Sequence, residues 1–167
     1  PWPSTEAEKL FSFSKAYGVP IQAAEFTNEP NMLEDTGFPK GYTAAQAREQ
    51  LEKIDASGLP YVVNFLNGAG GHGYGLANAQ RTAVLYDGLH PTMVNTSMLT
   101  VVPGTPLYHA MEKGLYVEST EMEKLEEIHE LVRCLANDTV FMNEHASNLF
   151  HVKCRLPEAR EELLDYI

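Results

Sequence analysis

Apolar positions along the chain switch repeatedly between a helical period and the two-residue period of a strand. Leu10, Phe11, Ser14 and Tyr17 follow at helical spacing after Pro3, and Gly18 closes the run. Thr5 and Glu8 stand at capping-box spacing near its start. Residues 19–26 read as a short buried strand, with Pro20 acceptable only near its first residue. Residues 28–42 are polar and broken by Pro30, Gly37, Pro39 and Gly41, which predicts a loop. Thr43 and Gln46 form a second capping box. It opens a helix carrying Ala47, Leu51 and Ile54 on one face and stopping at Gly58. Residues 61–66 are rich in β-branched and aromatic side chains and predict the clearest strand of the chain.

A glycine-rich turn over 68–75 leads into a helix predicted over 76–89. Residues 92–102 alternate as Met93, Asn95, Ser97, Leu99 and Val101, which predicts a strand punctuated by Pro103-Gly104-Thr105-Pro106. A short helix is expected over 107–113. Thr120 and Glu123 cap a long acidic helix whose buried stripe is Leu125, Ile128, Val132 and Leu135. A strand over 139–142, a loop over 143–152 and a last helix from Pro157 to Ile167 complete the chain. Alternating helices and strands predict right-handed β-α-β units and an α/β fold with about three to four parallel strands. A closed eight-stranded barrel takes about 250 residues, so a single domain over 1–167 is expected to be a partial barrel or a small open sheet.

Composition narrows the field. The chain has 167 residues and a net charge of −11, from 12 Lys+Arg against 23 Asp+Glu. That balance repels phosphate backbones and argues against nucleic acid as a partner. Much of the acid lies in 118–130 and 158–165, which read as solvated helix faces. No apolar run approaches the ~20 residues of a membrane span, so no membrane partner is expected. Two cysteines, Cys134 and Cys154, form neither a disulfide framework nor a metal knuckle, and a reducing cytoplasm is the expected location. The opening Pro1-Trp2-Pro3 reads as a cut through a longer chain.

In β/α folds, binding groups sit at the C-terminal strand ends and on the loops that follow. The first predicted strand delivers Glu25, Thr27 and Asn28 there. The second delivers Asn64, Leu66, Asn67 and the turn beginning at Gly68. The third delivers Thr100, Val101 and Val102. Carboxylate, amide and hydroxyl groups beside exposed backbone suit a ligand bearing ribose and adenine. The glycines permit close backbone approach but fit a mobile turn equally well. The six histidines are scattered without ligand-pair spacing, and the serines lack a nucleophile elbow.

Five segments carry a family resemblance: Glu25-Phe26-Thr27, Lys40-Gly41-Tyr42-Thr43, Asn67-Gly68-Ala69-Gly70-Gly71, Pro103-Gly104-Thr105-Pro106-Leu107-Tyr108 and Asn143-Glu144-His145-Ala146-Ser147-Asn148. In this order they resemble the second half of the radical S-adenosylmethionine (SAM) superfamily, in particular relatives of the coproporphyrinogen dehydrogenases. The resemblance implies the C-terminal half of a (β/α)6 partial barrel with a C-terminal helical extension. SAM would lie across its strand ends. Glu25 would meet the ribose or the methionyl end, Lys40 the methionine carboxylate, and Asn64 the ribose. Leu66 and Val102 would flank the adenine, with Thr27, Asn67, Gly68 and Thr100 completing the site.

The family's Cys-x-x-x-Cys-x-x-Cys loop, which holds a [4Fe–4S] cluster, is absent, and Glu25-Phe26-Thr27 stands where relatives carry Glu-Ser-Gly. The expectation is therefore an enzyme portion, inactive alone. Its parent would generate a 5′-deoxyadenosyl radical with a cluster held by an N-terminal half-barrel in the same or another chain, acting on an unknown substrate. A non-catalytic half-barrel that pairs with another chain, and a small nucleotide-binding α/β domain, are the alternatives.

Overall fold

The computed structural model describes residues 4–19, 21 and 41–167. Most of the strand expected over 19–26 and of the loop expected over 28–42 lies outside the described residues, and Glu25, Thr27 and Lys40 with them. The chain divides into two compact units, Pro1–Ala47 and Arg48–Ile167. The first contains α1 (Ser4–Ala16), terminated by Gly18 at φ 73°. Helix α2 (Ala44–Ala56) begins on the predicted box: Thr43 N donates to Gln46 Oε1 at 2.8 Å, and Gln46 N donates to Thr43 Oγ1 at 3.3 Å.

The second unit runs β1 (Val62–Asn67), α3 (Gly75–Tyr86), β2 (Met93–Met98), α4 (Pro106–Glu112), α5 (Glu121–Cys134), β3 (Thr139–Met142), β4 (Lys153–Leu156) and α6 (Arg160–Tyr166). The four strands form one sheet in the order β1-β2-β3-β4. The first three are parallel, and β4 returns antiparallel to β3. The fold is thus α/β with a mostly parallel sheet. Strand β2 stops at Met98, short of the expected 102, because the ladder with β1 ends at the Asn67–Met98 pair. Strand β4 was not expected. It forms because Asn143 N donates to Val152 O at 2.8 Å, which extends the β3–β4 ladder and folds the two strands into a hairpin.

One sheet face is the core. Val63 and Phe65 of β1, Val94 of β2, Phe141 of β3 and Leu156 of β4 lie under Ala79 and Ala83 of α3, Ile128, Leu131, Val132 and Leu135 of α5, and Leu163 of α6. The small side chains of Ala79 and Ala83 let α3 and α5 approach closely. Each large side chain buried here contributes about 1.5–3 kcal/mol. Strand alternation sends Val62, Asn64 and Leu66, then Met93, Asn95 and Ser97, then Val140 and Met142, then Lys153 and Arg155 to the opposite face. That face is the more open one: Val62 is 50 % exposed and Leu66 38 %, and Met93, Asn95 and Met142 are half-buried between the exposed edge strands.

The acidic helix departs from its expected solvated face. Lys124, Glu127 and Glu130 are buried, and Glu127 is fully so. Each finds a partner: Glu127 in the glycine turn, Lys124 in Glu118, and Glu130 in Gln80 and Arg133. No helix among the described residues is long and apolar enough to cross a membrane.

Candidate functional site

The C-terminal end of β1 is where polar groups first concentrate. Alternation turns Asn67 to the core face, where it is 2 % exposed and its Nδ2 donates to Lys124 O at 2.8 Å. Gly68 follows at φ 82°, a conformation that side chains resist. Its N–H donates to Glu127 Oε2 at 2.7 Å, and its carbonyl accepts from the Tyr116 hydroxyl at 3.0 Å. The other oxygen of Glu127 accepts from Asn78 Nδ2 at 2.6 Å. Burial raises the Glu127 carboxyl above its usual range, against the pull of these two donors and of Lys124. Lys124 reaches Glu118 Oε1 at 2.9 Å and Leu99 O at 3.4 Å.

Glu123 holds the far side of the turn. Its carboxylate accepts from Gly73 N at 2.9 Å and Thr120 N at 2.8 Å, and faces His72 Nδ1 at 2.8 Å. The Thr120 N–H first, then His72 and the Gly73 N–H, pull its carboxyl down to about 2. Thr120 and Glu123 form the reciprocal box expected from their spacing. Gly71 permits the closest approach: a Cβ there would stand 2.6 Å from Val117 O. A phosphate cradle needs free backbone N–H groups. Here those of Gly68 and Gly73 are bound by carboxylates of α5, and that of His72 by Val117 O at 2.8 Å. Asn67 and Gly68 are therefore committed to packing the turn on α5.

The second strand end presents Thr100 and Val102, and Val102 is 52 % exposed. Thr105 caps α4, accepting from Tyr108 N at 3.2 Å. The loop after β3 is pinned to the last residues of β2. Asn143 accepts from the Thr96 hydroxyl, and Asn148 Nδ2 donates to Thr96 O at 3.0 Å. Ser147 Oγ donates to Met98 O at 3.0 Å and accepts from Met98 N at 3.2 Å. His145 Nδ1 lies 2.7 Å from that hydroxyl and accepts from Ser147 N at 3.2 Å. On the open face, Asn95 Nδ2 donates to Asn64 Oδ1 at 2.8 Å, which fixes the orientation of both amides.

Of the residues expected at the site, Asn64 and Leu66 sit together on the open face of β1, and Thr100 and Val102 follow β2. Sequence reasoning missed the clamp of Tyr116, Lys124 and Glu127. Its signal was Glu123 and Glu127 one helical turn apart in a helix that must pack beside a glycine-rich turn. Among the described residues, no group of three His, Cys, Asp or Glu could hold a metal ion. His72, His90 and His109 each face a single carboxylate. Cys134 and Cys154 are unbridged, and burial is the first cause raising both thiols.

No protein-family model, curated protein or solved structure matches the chain.

Proposed function

We propose that this chain is the C-terminal half of a radical SAM-type β/α barrel and binds SAM across the C-terminal ends of its parallel strands. The observation that carries the proposal is the winding of the sheet. Strands β1, β2 and β3 are parallel and lie in chain order, with α3 and α5 packed on one face. A barrel wall is wound this way, whereas a doubly wound sheet reverses its order at a switch point. The resemblance adds support, because two of its segments, 103–108 and 143–148, follow the C-terminal ends of β2 and β3.

Within this proposal each residue has a chemical task. The Asn95 amide orients Asn64, leaving the Asn64 Nδ2 as donor to a ribose hydroxyl. Leu66 and Val102 offer apolar surface to the two faces of adenine, and Thr100 adds a hydroxyl at the same strand ends. Lys40 would pair with the methionine carboxylate, and Glu25 and Thr27 would serve the ribose side. Asn67 and Gly68 hold the turn rather than the ligand.

A [4Fe–4S] cluster requires several cysteine thiolates. This sequence offers two cysteines, one on α5 and one on β4, both with raised thiols. They do not fit the cluster, so in this proposal its ligands come from protein outside this sequence.

Calorimetric titration of SAM into the folded 167-residue chain tests the proposal. Saturable binding is expected, weakened at least several-fold in Lys40→Ala and in Asn64→Ala. A folded chain that takes up no SAM refutes it. Unaltered affinity in Lys40→Ala removes that residue from the site.

A further inference from the structure

The open face of the sheet carries one register row across all four strands. Asn64 pairs with Asn95, Asn95 with Met142, and Met142 with Lys153. Paired residues share a face, so the row reads amide, amide, thioether, ammonium. Below it lie Val62, Met93 and Val140 with Arg155, and above it Leu66 and Ser97.

The two ends of the row differ in chemistry. At one end the amides bond to each other through Asn95 Nδ2 and Asn64 Oδ1. That leaves donors on Asn64 and an acceptor on Asn95, which complement an amide or another donor–acceptor edge. At the other end, Lys153 is exposed and has no ion-pair partner among the described residues. Its neighbour on β4, Arg155, is neutralised by Asp138 at 2.6 Å. In a chain of net charge −11, a cation left unpaired on an open face is suited to an external anion. Between the ends, Met142 supplies a polarizable and adaptable surface. Strands lie about 4.8 Å apart, so Asn95 and Lys153 are separated by about 10 Å.

We propose that this face binds a small organic carboxylate with an apolar middle and a donor–acceptor group about 10 Å from the carboxylate. Lys153 takes the carboxylate, Met142 and Met93 contact the apolar part, and the Asn64–Asn95 pair takes the far end. As the substrate side of the barrel proposed above, the face gives that protein's unknown substrate a chemical class, and in that role it rests on the SAM reading.

The probe is 6-acetamidohexanoate, which joins an amide to a carboxylate through an apolar chain. The protein is the 167-residue chain labelled at its methionine methyl carbons. The Met142 and Met93 methyl resonances are expected to shift saturably. Lys153→Gln should weaken binding at least tenfold, and the uncharged 6-acetamidohexanamide should bind as poorly to the unaltered chain. Lys153 is exposed, so the variant should keep the unperturbed spectrum elsewhere.

Three results would overturn the proposal: methionine methyls that stay still, equal binding of the uncharged amide, or methyl shifts that grow with protein concentration alone. The last would mean a second copy of the chain covers the face. SAM uptake without probe binding overturns this proposal and leaves the SAM reading intact. Probe binding without SAM uptake does the reverse.

Discussion

Glu127 is the side chain on which the end of β1 depends most. Glu127→Ala removes the acceptor for two donors, the Gly68 N–H and the Asn78 amide. Gly68 is buried, and its backbone cannot turn to find another partner. An unsatisfied buried donor costs about 1–3 kcal/mol. Asn78 can rotate toward water, so its loss lies at the low end. The lost carboxylate also leaves a gap beside Gly75, where a Cβ would stand 3.4 Å from Glu127 Oε2. Together these predict a destabilisation of about 4 kcal/mol.

Glu127→Gln should cost far less. Its oxygen can face the Gly68 N–H, and Asn78 can reverse its amide to accept from the new Nε2. Two charge-assisted bonds then become neutral ones, offset by relief of a buried charge, for a net of about 1 kcal/mol. Linkage adds a signature in pH. Burial raises the Glu127 carboxyl in the folded state, so its contribution is complete below the unfolded value near 4.5 and is lost as pH rises through the folded one. The stability gap between the unaltered chain and Glu127→Gln should therefore narrow from pH 4.5 to pH 7. Urea unfolding followed by circular dichroism at several pH values measures all three proteins. Glu127→Ala within about 1 kcal/mol of the unaltered chain would refute the clamp. So would a gap that widens with pH.

Thr120→Ala should lose about 1 kcal/mol in the same assay, because the hydroxyl that accepts from Glu123 N goes, while the Thr120 N–H keeps its bond to Glu123 Oε2. Asp55 accepts from the Tyr61 hydroxyl at 2.7 Å and the His90 N–H at 2.7 Å, and lies 3.0 Å from His90 Nδ1. These contacts, the His90 side chain first, bring its carboxyl down to about 2. Its contribution is present above 3.8 and is lost as pH falls from there through about 2, so carboxyl-carbon NMR should follow a midpoint near 2 and Asp55→Asn should flatten the acid limb of unfolding. Phe141→Ala should cost about 3–5 kcal/mol, since the ring is fully buried at the centre of the core. Long-range proton–nitrogen NMR should find neutral His145 protonated on Nε2, because Nδ1 accepts from Ser147 N, and Ser147→Ala, which keeps that N–H, should preserve the preference.

Elements whose signal is local were legible in the sequence. Residues 61–66 announced β1 by composition, and Thr120 with Glu123 announced the start of α5 by spacing alone. Strand β4 was not read, although Lys153-Cys154-Arg155-Leu156 alternates polar and apolar residues. A four-residue strand between a long loop and a proline makes a weak pattern, and it exists because β3 offers it an edge. The burial of Glu127 and Lys124 was illegible for a related reason. Helical period places them beside the apolar stripe, but only the arrival of the glycine turn from 59 residues away makes burying a carboxylate tolerable. At the candidate site, the order of strand ends was readable from alternation. The Asn64-to-Lys153 row was not, because it depends on the register of four strands at once.

The two margins of the sheet are unlike, and this gives the molecule a direction of growth. Strand β4 is four residues long, carries Lys153 and Arg155, and is stopped by Pro157, so its outer margin is a poor template for another strand. Strand β1 is six residues long and, among the described residues, pairs only with β2. Among the described residues, the β1 margin is thus the one suited to a further strand. Two such sheets meeting margin to margin would each exhaust their single valence. The geometry favours a closed pair, or one internal or foreign strand, over the endless stacking of a fibril.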